Sequence, residues 1–456
     1  MTSRVYRMAE WLGFLALPWL LLAGGPAVGQ QPAASSPPEG LVRPRAEVAG
    51  VETLDDAWRI ALEKDQRLEA SQWNVSAANS TYAAAQAERL PSVATGADYL
   101  VLSDRPTFTA NLSPLPTVQL PMIDQNSGGF HALVAQPLYT SGRIANGIQA
   151  TAAASEASQA EARKTKLDVK MNVAEIYILV LRAGRLVDVA ESKAASLTDH
   201  ARIVADYHEK GTVSKNDLLS AQVALADAKQ QVLEARNSLE VAQAAYNRAL
   251  GRCLTDPVQL AEIRDDGDCG DIGQLTQMAC RTRPEIAQLS AQANALRWEA
   301  ESVRAKGLPQ AGLVGGYVYQ QDRYVEPNGL AVLAVDVEWN IFDSGRVRNQ
   351  ANAIRDKAES LIHTRADTES LIALDVRQKW LDLQTARQRV QVAQQATAQA
   401  DENLRVARDR YQHQVGTNTE VLDAEALRVQ AFTNFYNSSY QAILAGLRLR
   451  RAVGNL

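Results

Sequence analysis

Apolar side chains recur along most of this chain at intervals of three and four residues. From residue 214 the series Leu218, Ala221, Leu225, Ala228, Val232, Ala235, Leu239, Ala242, Tyr246 and Ala249 keeps that alternation unbroken. It is a coiled-coil seam, large at one heptad position and alanine at the other. The same periodicity predicts helices over about 54–64, 66–90, 144–209 and 214–250. It predicts them again over about 272–282, 284–306, 346–411 and 418–453. Pro91, Pro284 and Pro309 mark boundaries between elements. At 1.5 Å per residue the helix from 144 is roughly 100 Å long, and the helices before and after it, about 38 Å and 55 Å, match it end to end. The last helix repeats the small residues at Ala424, Ala431, Ser438, Ala445 and Ala452, with a second seam beside them that includes Leu422, Val429, Tyr440 and Leu447. Two adjacent seams give a helix neighbours on both sides, as in a curved layer or tube; a solid antiparallel bundle has the same period.

Elsewhere the period changes to two. Val335, Val337, Trp339 and Ile341 alternate with Asp336, Glu338 and Asn340. Strands are predicted over about 92–103, 130–140, 310–322 and 330–342. Phe130, Ala132, Val134 and Leu138 line one side of the second, with Gln136 out of pattern, and Tyr317 and Tyr319 are candidate interfacial aromatics. Such a strand is either half-buried in a soluble core or set in a membrane barrel, apolar side to lipid and polar side to a watery lumen. Four strands cannot close a barrel, for which about eight are needed, so a barrel requires several chains. The stretch 104–129, with Pro106, Pro114, Pro116 and Pro121, is expected to be a surface loop.

These elements are one unit written twice. Ser141-Gly142-Arg143 returns as Ser344-Gly345-Arg346, 203 residues later, and Ala249-Leu250-Gly251 returns as Ala452-Val453-Gly454 at the same offset. Leu90-Pro91 returns as Leu308-Pro309 at an offset of 218. The second copy therefore shortens the loop between its strands by about 15 residues, while the helical hairpin keeps its length. Packed helical register tolerates no insertion, whereas a loop does. Repeat 1 is set at 53–251, repeat 2 at 272–456, and the linker at 252–271.

Arg4 and Arg7 followed by the apolar run from Trp11 to Ala23 read as a secretory signal, 1–29; an N-terminal anchor helix is the alternative. Residues 30–52, rich in Pro, Ala and Ser, read as a disordered lead-in. No later run reaches 18 apolar residues. A net charge of −5 and a pI near 5.7 argue against a nucleic-acid partner. Three cysteines are present. Cys253 and Cys269 are expected to form a disulfide, since export favours oxidation. Cys280 falls where repeat 1 has Leu62 and is expected to be a buried thiol. No zinc or haem spacing, nucleophile motif or phosphate loop occurs, so the sequence implies no metal, no cofactor and no enzyme.

The order helix, strand pair, long helical hairpin, twice over, resembles the TolC-like outer-membrane efflux proteins. The resemblance rests on Leu54-x-x-Ala57, on the turns Tyr139-Thr140-Ser141-Gly142-Arg143 and Phe342-Asp343-Ser344-Gly345-Arg346, and above all on the run from Val415-Gly416-Thr417 to Leu422-Asp423-Ala424-Glu425. It covers nearly all of 52–456. It implies an α+β membrane protein in which three chains build a twelve-strand β-barrel in outer-membrane lipid, continued by a periplasmic α-helical tube. It implies a periplasmic adaptor and an inner-membrane pump or exporter as partners, touching the hairpin tips Gly211, Thr212, Gln414, Val415, Gly416 and Thr417. It further implies that Asp217, Glu420 and Asp423 form acidic rings at a constricted periplasmic mouth. Gate-locking arginines occur near this motif in some relatives; here that place is Gly416.

Each of these assignments has a local alternative. Gly211 and Gly416 also suit helix termination. Ser214-x-x-Asp217 and Thr417-x-x-Glu420 are capping-box spacings, which Asp423 is not. In the strand-to-helix turns, serine is expected to cap the helix, glycine to permit the turn, and Arg143 and Arg346 to face lipid headgroups or solvent. Two functions fit: a passive conduit for efflux or type I secretion, and a soluble periplasmic coiled-coil interaction protein. Five methionines and five histidines without clusters argue weakly against dedicated copper or silver export.

Overall fold

The computed structural model describes residues 51–110, 118–263 and 270–456. All belong to the unit Val48–Leu456. The predicted signal peptide, most of the lead-in, and Cys269 with its expected bond to Cys253 lie outside the described residues. The end of the lead-in is not free chain. Glu52 N–H donates to Gln259 O at 2.9 Å, Glu52 O accepts from Ala261 N–H at 2.9 Å, and Arg252 grips the Glu52 carboxylate with two 2.9 Å hydrogen bonds.

The element order is α1 (Leu54–Lys64), α2 (Gln66–Ala87), β1 (Ser92–Val101), β2 (Thr107–Ala110), β3 (Val118–Pro121), β4 (Asn126–Tyr139), α3 (Arg143–Glu209), α4 (Lys215–Ala249), then α5 (Ile272–Thr282), α6 (Pro284–Ala305), β5 (Gln310–Gln321), β6 (Gly329–Glu338), α7 (Arg346–Gln412) and α8 (Asn418–Val453). The long helices α3 and α7 are both 67 residues, and α4 and α8 are 35 and 36. Equal length across the repeats is what an uninterrupted register demands. Along α3, α2 and α4 pack successively on one side and α6 and α8 on the other; α6 and α8 also pack on α7. The helical layer thus runs α2/α4, α3, α6/α8, α7, and α8 has the two neighbours its two seams predicted.

Alanine lets these helices approach closely. Ala221 and Ala228 on α4, and Ala424, Ala431, Ala445 and Ala452 on α8, are all buried. The short helices α1 and α5 thicken the layer. Ala57 and Ala61 join Tyr177, Tyr246 and Leu250 in one apolar cluster, and Ala279 joins Ile372, Val376 and Leu383 in another, with Cys280 packed at its edge. Trp58 and Tyr177 place their polar atoms on backbone oxygens: Trp58 Nε1 on Lys170 O, Tyr177 Oη on Glu52 O and Ala261 O, each at 2.8 Å.

The main sheet is antiparallel in the order β1-β4-β5-β6, so the repeats join at β4·β5. Residues opposite one another share a face. Val93, Val134, Gly315 and Leu333 form one such row, and Thr95, Ala132, Tyr317 and Ala331 another. That face is apolar and open: Leu333 is 78 % exposed, and Tyr99, Val335 and Val337 are exposed with it. Gln136 breaks the row at its helix end, where its side-chain amide donates to Arg89 O at 2.8 Å and Pro137 O at 2.9 Å. β4 starts earlier than expected and β6 stops at Glu338. The loop 104–129 also holds a second hairpin, β2 on β3, which its prolines had concealed.

The two strand-to-helix turns correct one expectation. The helix N-cap is Gly142 or Gly345, in the left-handed region at φ 85° and 81°, so the cap residue has no side chain to offer the helix. Ser141 is itself left-handed at φ 49°, and its hydroxyl donates to Pro309 O in the other repeat. In the second turn Asp343 does the capping, accepting from Gly345 N–H at 2.9 Å and Val347 N–H at 2.8 Å. Arg143 does not reach outward: it binds Gln310 Oε1 at 3.1 Å and Glu88 at 3.4 Å. The serine is needed across the sheet junction, so it is unavailable to the helix.

Candidate functional site: the paired hairpin tips

Both long helices end in the same backbone motif. Gly211 N–H and Thr212 N–H return to His208 O and Tyr207 O, and Gln414 N–H and Val415 N–H return to Tyr411 O and Arg410 O. These are Schellman closures, which need a left-handed residue just past the helix. Repeat 1 puts Gly211 there at φ 73°; repeat 2 puts Gln414 there at φ 60°. A non-glycine residue in this region costs about 1 kcal/mol or more. Gln414, not Gly416, is therefore the terminator of α7. Gly416 serves close packing instead: a Cβ there would lie 3.0 Å from Arg410 Cβ and 3.2 Å from Tyr411 N, tight contacts that a side chain would have to push apart. Thr212, Gln414, Val415 and Thr417 are exposed around these closures.

The three acids separate. Asp217 completes a full capping box, its carboxylate 2.7 Å from Ser214 Oγ and 3.3 Å from Ser214 N, with Asp217 N–H on Ser214 Oγ at 3.1 Å. Glu420 completes only half. Its N–H reaches Thr417 Oγ1 at 3.3 Å, but its carboxylate turns to Arg410 at 3.7 Å. Arg410 also donates to Val415 O at 3.2 Å. Asp423 is exposed one turn further on. An arginine thus does meet the acid motif, from the end of α7 rather than from position 416.

What holds the tips together went unnoticed in the sequence. His200 on α3 is buried, with Nε2 2.8 Å from Asn418 Oδ1. Asn418 is buried at the start of α8, and its Nδ2 donates to Asp217 O at 3.3 Å. Because the amide nitrogen is committed, its oxygen must accept, and His200 Nε2 carries the hydrogen. Tyr411 stacks edge-on against the His200 ring at 5.1 Å, and Tyr207 Oη donates to Gln412 O at 3.1 Å. Four helix ends are therefore tied through one imidazole and one amide. The available signal was that His200 continues the 3-and-4 seam Leu197, His200, Val204, Tyr207.

Two turns up, Glu425 on α8 is buried. Its carboxylate meets Arg408 of α7 and Arg428 of α8, each at 3.4 Å, and accepts from Ser196 of α3. Arg428 also reaches Asp401 at 2.7 Å and Ser192 at 3.2 Å. Ser192, Ser196, Asp401, Arg408 and Arg428 line a polar cleft of about 480 Å³ between the hairpins. Where repeat 2 has Arg408, Glu425 and Arg428, repeat 1 has Ala205, Gln222 and Leu225. The ionic knot belongs to one copy only.

The buried imidazole makes the tip contact pH-dependent. Burial holds His200 below its ordinary 6.5; the Asn418 hydrogen bond pulls the other way, Arg408 lowers it further and Glu425 raises it. A pKa lowered in the docked tips means that separated tips take up the proton more readily. Docking is at full strength above about pH 6.5 and weakens as pH falls below it, until the docked ring itself protonates. Hydrogen exchange over 410–425 should speed up in the wild type relative to His200→Gln by up to roughly tenfold between pH 8 and pH 5.5. Equal acceleration in both proteins would remove His200 from the tip contact.

The outer membrane efflux protein family model matches residues 58–252 and 275–455. Alkaline protease secretion protein AprF of Pseudomonas aeruginosa is 21 % identical over 306 residues, which are 64 % of this chain; the chain spans 63 % of that relative's length. Among solved structures, the outer membrane protein VceC of Vibrio cholerae superposes with a TM-score of 0.74 at 16 % identity, covering 88 % of this chain and 96 % of its own. The open-state MtrE channel of Neisseria gonorrhoeae gives 0.69 at 18 % identity, covering 88 % of each chain. With both repeats matched by the family model and the fold shared along nearly its whole described length, the chain belongs to the outer membrane efflux protein family.

Proposed function

We propose that this protein is the outer-membrane conduit of a tripartite efflux or type I secretion system, a homotrimer with a twelve-strand barrel and a periplasmic helical tube. One observation carries the reading: a four-stranded sheet whose two edges and apolar face find no cover among the described residues, set on a helical layer about 100 Å long. A soluble coiled-coil protein has no use for Leu333, Val335, Val337 and Tyr99 in water. In lipid the same side chains are matched, and closure with other chains satisfies the edges. The exposed tips around Thr212 and Val415 are where the adaptor and the inner-membrane pump or exporter engage. A relative named for alkaline protease secretion keeps exported protein among the cargo classes beside small molecules.

At the mouth, Asp217 is committed to its capping box and Glu420 to Arg410, while Asp423 is exposed. Three copies of each give acidic rings that favour cations. The purified trimer should conduct in a planar bilayer with cation preference, and Glu420→Ala with Asp423→Ala should reduce that preference severalfold. A monomeric mass with no conductance in any state rejects the conduit. Unchanged selectivity in the double variant rejects the rings and leaves the acids a purely structural role.

A further inference from the structure

Asp104-Arg105 returns as Asp322-Arg323, at the same offset of 218 that carries Leu90-Pro91 onto Leu308-Pro309. Each arginine follows a strand, β1 or β5, at the end of the sheet away from the helices, and both strands flank β4. Asp124, just ahead of β4, joins the two. Its carboxylate accepts from Arg105 Nη2 at 3.3 Å, Arg323 Nε at 2.8 Å and Gln125 N–H at 2.8 Å. Both guanidiniums also lie over the Tyr324 ring, with Cζ 5.6 Å and 5.8 Å from its centroid.

These groups continue the outer, apolar face of the sheet. Arg323 extends the odd-numbered line of Tyr317, Tyr319 and Gln321, and Asp124 the even-numbered line of Ala132, Phe130 and Asn126. Arg105 arrives by a bulge. Val101 and Thr107 are six positions apart, whereas their partners Asn126 and Pro121 are five apart. The extra residue re-aims the chain that carries Arg105. Asp322, of the opposite parity, is buried and accepts from Asp124 N–H and Tyr324 N–H at 2.9 Å each. It pins the β5–β6 turn to the end of β4, so the platform beneath the arginines is built in advance.

Charge on this platform does not balance. Two guanidiniums share one carboxylate and have no other acidic partner among the described residues. Asp322 is committed to backbone amides, and Asp104 and Glu326, exposed on the adjoining turns, pair with neither arginine. Each guanidinium has five N–H donors, and the Arg105 and Arg323 side chains are 41 % and 66 % exposed. Below them on the same face stand the exposed rings of Tyr99, Phe130, Tyr317 and Tyr319. Such an aromatic girdle marks the edge of the hydrocarbon layer. Arg323 lies about 13 Å beyond Tyr319 along the strand, and less in height because barrel strands tilt. That is the depth of the lipid headgroups.

Resting on the barrel reading above, we infer that Arg105 and Arg323 clamp the phosphate group of an outer-leaflet lipid headgroup. A phosphate presents oxygens on several sides, so it accepts from both guanidinium forks while Asp124 holds them in place. Its charge offsets the guanidinium that Asp124 leaves uncompensated, and its acyl chains lie along the aromatic girdle below.

Native mass spectrometry of the detergent-purified trimer tests the clamp, with bisphosphorylated lipid A, its dephosphorylated form and inorganic phosphate as probes. Removing the phosphates from the lipid should weaken binding roughly tenfold or more. Arg105→Gln with Arg323→Gln should bring the phosphorylated lipid down to the level of the dephosphorylated one while the trimer stays intact. Arg105→Gln alone should lose part of that preference and serves if the double variant fails to assemble. Equal binding of the two lipids by the wild type, or a full phosphate preference in the arginine variants, overturns the clamp. Displacement of lipid A by equimolar inorganic phosphate overturns the lipid assignment and leaves a free-phosphate site. A trimer without phosphate preference rejects the clamp alone, whereas a monomeric mass rejects the trimeric reading and the clamp with it.

Discussion

Leu333→Arg should abolish the outer-membrane trimer, whereas Val332→Arg, one residue away, should not. Leu333 lies mid-strand on the apolar outer face and is highly exposed. Arginine on the lipid face near the bilayer midplane costs about 2–4 kcal/mol per chain, and three chains meet in one barrel. Val332 points to the opposite face, opposite Gly316, where a watery lumen accepts a guanidinium. The measurement is the fraction of heat-modifiable trimer in detergent-extracted outer membrane. Equal assembly of the two variants would mean that the sheet does not turn this face to lipid. The comparison holds chemistry, strand and depth nearly constant and changes only the face.

A second large effect is expected at the ionic knot. Arg408→Leu with Arg428→Leu strips both cations from a buried carboxylate, Glu425. Breaking a buried pair in this way costs about 3–5 kcal/mol. Hydrogen exchange over 418–430 should accelerate by roughly two to three and a half orders of magnitude, at 1.4 kcal/mol per decade. Adding Glu425→Leu should restore most of the protection, because an apolar group of similar volume removes the uncompensated charge. Protection unchanged in the double variant would mean that the knot carries no energy between the hairpins. Failure of the triple variant to recover would mean that the arginines act through something other than Glu425.

Much of this architecture was legible in the pattern of side chains. Helix ends fall within a few residues of those expected, because Pro91, Pro284 and Pro309 and the Ser214 and Thr417 caps act locally. The alanine seams predicted close helices, and the alternation from Val335 predicted β6, since each depends only on period and side-chain size. The β2–β3 hairpin was not legible, because its pairing joins residues across a loop. The serine of the strand-to-helix turn was misassigned to the helix. Its partner, Pro309, lies 168 residues away.

At the tips the same division holds. Sequence marked Asp217, Glu420 and Asp423 as one set. Folding gave the first to a capping box and the second to Arg410, because the end of α7 returns across the start of α8. His200 and Glu425 are polar residues within or between apolar seams, a visible anomaly whose meaning depends on which helices lie alongside.

The sequence by itself determined the lengths, the order and the doubling, since helical register, strand alternation and turn chemistry are properties of neighbouring residues. Only the tertiary structure decided that the repeats join through β4 and β5, that one imidazole and one amide tie four helix ends, and that a buried carboxylate sits between the hairpins. Those facts depend on distances between residues far apart in the chain, and periodicity carries no information about them.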